Sequence, residues 1–241
     1  MPSKKLRVGD DCFEVENDGW VSVRIAGSET DSSEIGAALS REASDNLPYN
    51  FRYALQDDQV FIQGDLRGDL ALTAAESKRR LQAIASDRLD IGDQILDEDE
   101  IAFALAQFEL EWERDEEQWQ TTFTWSGGTR CELVAEATTG GVRVSTILAK
   151  WEGTLDSVCK VALVKFLGHA NARLRFVRLL IGEQQALADS TAMADRLESE
   201  LPDSVFAVAA AFQAIAREVD ALLLPEMASQ YIEINSEYPR Y

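Results

Sequence analysis

The chain has 241 residues, 46% of them hydrophobic, with 23 Lys and Arg against 43 Asp and Glu, a formal net charge of −20. That length holds one large or two small domains with a full core, and the apolar fraction excludes a disordered chain. The charge excludes nucleic acid and anionic membrane as default partners, because both are repelled unless basic residues are concentrated in one patch.

From the N-terminus, Met1-Pro2-Ser3-Lys4-Lys5-Leu6-Arg7 is basic but has no apolar run behind it, so it reads as no signal peptide. No apolar run approaches the roughly 20 residues that span a bilayer. Asp18-Gly19 is a strong hairpin turn between strand patterns at 12–17 and 20–26, where Val21, Val23 and Ile25 alternate onto one face. Asp31 caps a helix through Ile35, Ala38, Leu39 and Ala43. Beyond Pro48 a second hairpin is predicted, with strands at 51–55 and 60–66. Thr73-Ala74-Ala75-Glu76 forms a capping box for a helix through Leu81, Ile84 and Ala85.

The acidic stretch 92–100 reads as a boundary between units at 1–92 and 93–241. Asp97 followed by Glu100 starts a helix in which Ile101, Ala104, Leu105, Phe108 and Trp112 follow helical spacing, with Glu109, Glu111, Glu113, Glu116 and Glu117 as its acidic surface. Strand patterns at 120–125, 130–137 and 142–151 are separated by the pairs Gly127-Gly128 and Gly140-Gly141, which permit tight turns. Thr154 opens a helix with an apolar stripe from Leu155 through Cys159, Leu163 and Leu167 to Ala170. Strands at 174–181 and 185–190 meet at Gly182-Glu183. A last helix starts near Pro202-Asp203 and ends or kinks at Pro225.

Asn46, Phe51, Leu55 and Gln59 recur 125 positions later as Asn171, Phe176, Leu180 and Gln184. With the patterns arriving in the same order, the spacing predicts an α+β protein of two repeated units, each an antiparallel sheet with flanking helices, paired as an intramolecular pseudo-dimer. The first unit would lack the leading helix and the first strand of the second.

This element order resembles that of the type III secretion chaperone-like superfamily, including the YbjN-type proteins. The closest local match is Phe166-Leu167-Gly168-His169-Ala170-Asn171 followed by Phe176, and then the amphipathic helix over 204–224. The resemblance implies a small acidic protein that dimerises and binds protein segments without catalysis. A fused pair departs from the single-domain form of that family.

Other candidates carry less. His169 is the one histidine, placed to serve a helix end. Asp97-Glu98-Asp99-Glu100 lacks the spacing and central glycine of a calcium loop. The glycines form neither a P-loop nor GxGxxG. Arg173, Arg175 and Arg178 read as solvated charges on a half-exposed strand. Cys12, Cys131 and Cys159 are odd in number and dispersed, with no disulfide framework, and Cys159 reads as a small core residue.

A carboxylate-based hydrolase would rely on Glu113 and Glu117, one helical turn apart. Trp112, Trp119, Phe123 and Trp125 are the candidate partner-binding residues; the last three alternate on one strand and share a face, and aromatics anchor interfaces. The expectation is a cytoplasmic, non-catalytic protein-binding module without metal or cofactor, holding a segment of a client by strand addition or in a helix groove. A regulatory or scaffolding protein that binds a folded partner is the alternative. A second chain can pair in addition to the internal pseudo-dimer.

Overall fold

The computed structural model describes residues 4–8, 11–16, 20–25, 35–40, 51–56, 59–67, 96–138 and 140–237. The helix expected from Thr73, the cap at Asp31, the turn at Asp18-Gly19, Asn46 and Pro48, and the turn between the strands expected at 51–55 and 60–66 lie outside them. The same holds for residues 92–95 of the expected boundary at 92–100, whose last three residues are the first turn of a helix.

The architecture is α+β with two antiparallel sheets. Strands β1 (Lys4–Val8), β2 (Asp11–Glu16) and β3 (Trp20–Ile25) precede the short helix α1 (Ile35–Ala38). The hairpin β4 (Arg52–Gln56) and β5 (Gln59–Arg67) follows. The second sheet is built from β6 (Glu113–Asp115), β7 (Gln118–Thr124), β8 (Arg130–Thr138), β9 (Gly141–Lys150), β10 (Arg178–Ile181) and β11 (Gln185–Met193). Helix α2 (Glu98–Leu105) leads it, α3 (Ser157–Asn171) joins β9 to β10, and α4 (Leu197–Ala221) and α5 (Pro225–Glu237) close the chain.

The sheets share one topology. The first runs β1-β2-β3-β5-β4, and the second, read from its other side, runs β7-β8-β9-β11-β10 with β6 added at its edge. In both, a meander of three strands feeds a helix and then a hairpin that inserts its second strand beside the third strand. One expectation is corrected here. The first sheet does not lack the first strand, because Lys4–Val8 pairs with β2, Leu6 opposite Phe13. Five residues with two apolar positions are too short a run to separate a strand from a basic tail.

The ladder also corrects the sequence alignment. Arg52 lies opposite Gln63, and Arg178 opposite Asp189. Arg52 therefore corresponds to Arg178, and Phe51 to Val177, one residue beyond the spacing of the sequence identities. Phe176 stands outside the strand with φ 56°. A one-residue change of register exchanges the two faces of a strand, so burial decides it: Phe51 and Val177 are both core.

Helix α4 lies across β8, β9 and β11, burying Leu201, Val205, Val208 and Ile215. It begins five residues before Pro202, which its first turns tolerate. Pro225 opens α5, where a missing N–H costs nothing. That helix had no counterpart in the sequence reading; it packs on α3 through Ala228 and Tyr231, whose ring meets Phe166 at 5.9 Å, with Leu222 at the end of α4 in the same cluster. Helix α3 starts at Ser157, capped by Asp156, whose side chain accepts the Val158 N–H; Thr154 is not the cap.

Helix α3 also reaches across to β4. Leu39, Leu55 and Val60 of the first unit share one core with Leu163, Leu167 and Leu179 of the second. The packing is tight enough to dictate a glycine: a Cβ on Gly64 would stand 2.5 Å from the Phe51 ring. Gly64→Ala should therefore lower stability by about 1–3 kcal/mol, the usual cost of overpacking. Phe51→Leu in the same chain should recover part of that loss, read as the urea midpoint at unchanged m-value.

Candidate partner-binding surface

The polar side chains that look most like a site are a clasp between the sheets. Arg52 is fully buried; its Nη1 donates to Asp65 Oδ2 at 2.8 Å, its Nε to the Asn171 carbonyl at 2.8 Å, and its Nη2 to the Leu174 carbonyl. Asp65 Oδ2 also accepts the Phe176 N–H at 2.8 Å. Asn171 donates from Nδ2 to the carbonyls of Tyr53 and Leu179 and accepts the Leu179 N–H, so one amide joins β4 to β10.

His169 Nδ1 donates to the Leu55 carbonyl at 3.1 Å. The outward carbonyls of edge strand β4 are thus taken by α3. In return the Ile181 N–H of edge strand β10 donates to the Leu39 carbonyl, and Ser40 forms a parallel bridge to Ile181. One edge of each sheet, β4 in the first and β10 in the second, is closed by the other unit's helix end, which removes a template for unwanted strand pairing.

Arg178 is not a solvated charge as the sequence reading had it. It is buried, with Nε and Nη2 both 2.7 Å from the Asp189 carboxylate. The cross-strand Asp189 was the missing signal: a buried guanidinium needs a carboxylate, and a bidentate pair supplies it. Arg173 and Arg175 precede β10 and share no strand face.

The helix predicted to run to Trp112 stops at Leu105. Its capping box is as expected, Asp97 Oδ1 accepting the Glu100 N–H and Glu100 Oε2 accepting the Asp97 N–H. Carboxylates at Glu109 and Glu111 would sit on the negative end of a longer helix, with no cation before Arg114 to offset them. Phe108, Leu110 and Trp112 instead alternate with Glu109, Glu111 and Glu113, half-buried against exposed. Glu113 lies on β6 and Glu117 in the tight turn before β7, so the proposed hydrolase pair does not share a helix face.

The four aromatic candidates separate. Trp119, Thr121 and Phe123 point toward the helix-covered face of β7, with Trp119 only 5% exposed and embedded in the core. Arg114 lies over the Trp119 ring, 5.7 Å from its centroid, and holds Glu98 at 2.6 Å. Trp119 is therefore a core residue, not part of a surface. Phe123 and Trp125 are half-buried, with centroids 4.8 Å apart, and Trp125 meets Phe206 of α4 at 6.1 Å. Phe206 is 59% exposed.

Phe123, Trp125 and Phe206 make a row of edge-to-face rings at the end of β7. Phe206, on the amphipathic helix over 204–224, was not among the aromatic candidates; a position at the margin of an apolar stripe is told from its centre only by the neighbouring sheet. Trp112 is half-buried against the same core, and the Thr121 hydroxyl donates to the adjacent Glu111 carbonyl. The indole nitrogens of Trp112 and Trp125 are buried without an acceptor among the described residues, a cost of about 1–3 kcal/mol each. Cys131 and Cys159 are buried free thiols, pushed up in pKa chiefly by burial; the hydrogen bond to Thr146 opposes this at Cys131, and the Asp156 charge adds to it at Cys159.

The two kinds of aromatic predict opposite responses. Trp119→Ala should cost about 3–5 kcal/mol in chemical denaturation, whereas Phe206→Ser should stay within about 0.5 kcal/mol. Because the thiolate is the nucleophile, Cys131 and Cys159 should be alkylated by iodoacetamide at pH 7.5 at least about tenfold more slowly in the native chain than in urea, as read by peptide mass spectrometry.

No family model matches the chain, and no curated protein matches it.

Proposed function

We propose that the chain is a non-catalytic protein-binding module of secretion-chaperone-like fold, working in the cytoplasm and holding a segment of a partner protein. The carrying observation is the aromatic row Phe123–Trp125–Phe206, half-buried at its first two rings and open to solvent at Phe206 of α4. Large rings that are already packed on one side lose little entropy when a partner covers the other, which is why aromatics dominate interface energetics.

Two further features support the reading. The equivalent strand orders of the two sheets, and the exchange of edge-closing contacts between α3 and β4 and between α1 and β10, are what an intramolecular pseudo-dimer of tandem copies requires. The second feature is that the buried charges Arg52 and Asp65 are consumed in holding the two units together. The free, buried thiols of Cys131 and Cys159 fit a reducing compartment.

Affinity capture from native lysate, followed by mass spectrometry, tests the reading. A reproducible protein partner should be recovered by the native chain and reduced at least about tenfold by Phe206→Ser, the scale of one interface hot spot. Recovery of no protein, or of the same proteins by both chains, would count against it. Hydrogen exchange on the recovered partner then separates a client held partly unfolded from a folded partner of a regulatory scaffold.

A further inference from the structure

Helix α5 is held by less of the molecule than α4. It packs on α3 through a cluster of its own at the margin of the main core. Ala228 is its one fully buried residue among those described, with Tyr231 and Ile232 half-buried beside it. Ser229 and Asn235 donate to α5's own carbonyls, those of Pro225 and Tyr231, and so do not tie it to α3. Helix α4, by contrast, buries residues from Leu197 to Val219. A helix of 13 residues is marginal in water without packing, and Ile232, Ile234 and Asn235 are indifferent helix formers. So small an apolar contact places α5 at the low end of local stability.

The surface under α5 is a groove with a definite chemistry. Val158, Ala162 and Phe166 line it on successive turns of α3. Cys159 closes its head, Sγ donating to the Leu223 carbonyl at 3.4 Å. Ala162 and Ala228, both fully buried, are small enough to let the helices meet, and the Phe166 and Tyr231 rings pack edge to face. The two helices also differ in sign. Helix α3 carries Lys160 and Lys165 and no carboxylate; α5 carries Glu226, Glu233 and Glu237 and no cation. Lys165 stands three residues beyond Ala162, at the flank of the groove. In a chain with a net charge of −20, the groove lies on a basic helix and its occupant is acidic.

We infer that α5 is a displaceable strap, and that the groove it covers docks an acidic amphipathic helix of a partner protein in its place. The occupant is read from α5 itself: a small residue at the contact, an aromatic ring three positions on to meet Phe166, and carboxylates to match Lys160 and Lys165. The hinge is built in. Pro225 cannot be absorbed into a longer α4, because it lacks an N–H and its ring would meet the carbonyl four residues before. Helix α5 can therefore swing about residues 222–224 while α4 remains on the sheet. Opening bares the α3 side chains to water, so it is unfavourable until a second helix covers them; release of α5 and binding are thereby coupled. None of the rings of the aromatic row takes part, so either surface can fail without the other.

Two thiols report two kinds of opening in the full chain: Cys159 lies under the strap and Cys131 inside the second sheet's core, both fully buried. Without denaturant, and relative to each thiol's rate in the unfolded chain, iodoacetamide should reach Cys159 at least about tenfold faster than Cys131. The Cys159 rate should barely change in low urea, while that of Cys131 follows global unfolding. Ala228→Glu/Tyr231→Ser, which loosens α5, should speed Cys159 at least about tenfold and leave Cys131 protected, so that the rest of the chain is known to be folded. By anisotropy, a fluorescein-labelled peptide of residues 222–237 should bind this loosened chain at least about tenfold more tightly than the native one, where α5 competes. Phe166→Ser in the loosened chain should weaken the peptide at least about tenfold, and Glu226→Lys/Glu233→Lys in the peptide at least about fivefold.

Equal protection of the two thiols, rising and falling together with urea, would show that α5 opens only when the chain unfolds and would overturn the strap. A peptide that binds the loosened chain no better than the native one, or ignores Phe166→Ser, sits elsewhere, and the dock fails. Affinity unchanged by the Lys substitutions would remove the acidic occupant. Sedimentation showing that the loosened chain dimerises would assign the groove to a second copy and overturn the partner helix.

Discussion

A guanidinium with no access to water constrains this molecule more than any other group. Arg52 is enclosed between two sheets, where an ionised side chain survives only if every direction in which it can donate is answered. The answers come from both units: Asp65 from its own hairpin, and the carbonyls of Asn171 and Leu174 from the end of α3. Asp65 is answered in turn by the Phe176 N–H. Apolar surfaces can slide against each other at little cost, but this set of directions cannot be met in a shifted arrangement. The pair therefore specifies how the two sheets meet, while the shared core around Leu39, Leu55, Leu163 and Leu167 supplies the area whose burial drives the contact.

From that fixed meeting follows the inequality of the sheet edges. Edge strands β4 and β10 are closed by helix ends of the opposite unit, through His169 and Asn171 on one side and Leu39 and Ser40 on the other. The other side of the second sheet has no such neighbour. There the short strand β6 ends the sheet, and the Glu111 carbonyl just before it accepts the Thr121 hydroxyl of β7. The two sides of the second sheet therefore differ: β10 is closed by the first unit, and β6 is its outermost strand.

Much of this was legible in the residues. Alternation and turn pairs located β2, β3, β4, β5 and, in the second sheet, β7 to β11 to within a few residues, because these signals are local. The Asp97–Glu100 box is formed as read. Where the local code was ambiguous it was misread: Phe108, Leu110 and Trp112 satisfy a strand-like period as well as part of a helical one, and carboxylates at a helix's negative end decided against the helix. Phe51 and Phe176 look equivalent by identity, yet the ladders make Val177 the counterpart of Phe51, because register is set by which face must be buried. Trp119 and Trp125 look equivalent too, and only the covering by the helices makes one core and leaves the other half-buried.

The sequence by itself determined the class of the fold, the recurrence of its strand–helix–hairpin order and the excess of negative charge. Each of these follows from composition or from periodicity within a few residues. Only the tertiary structure decided which arginines are buried, which sheet edges are closed and which aromatic rings stay open. Those outcomes depend on contacts between residues more than a hundred positions apart, such as Arg52 with Asn171 and Leu55 with His169. No local pattern carries that information, because desolvation is a property of what lies opposite a side chain and not of what precedes it.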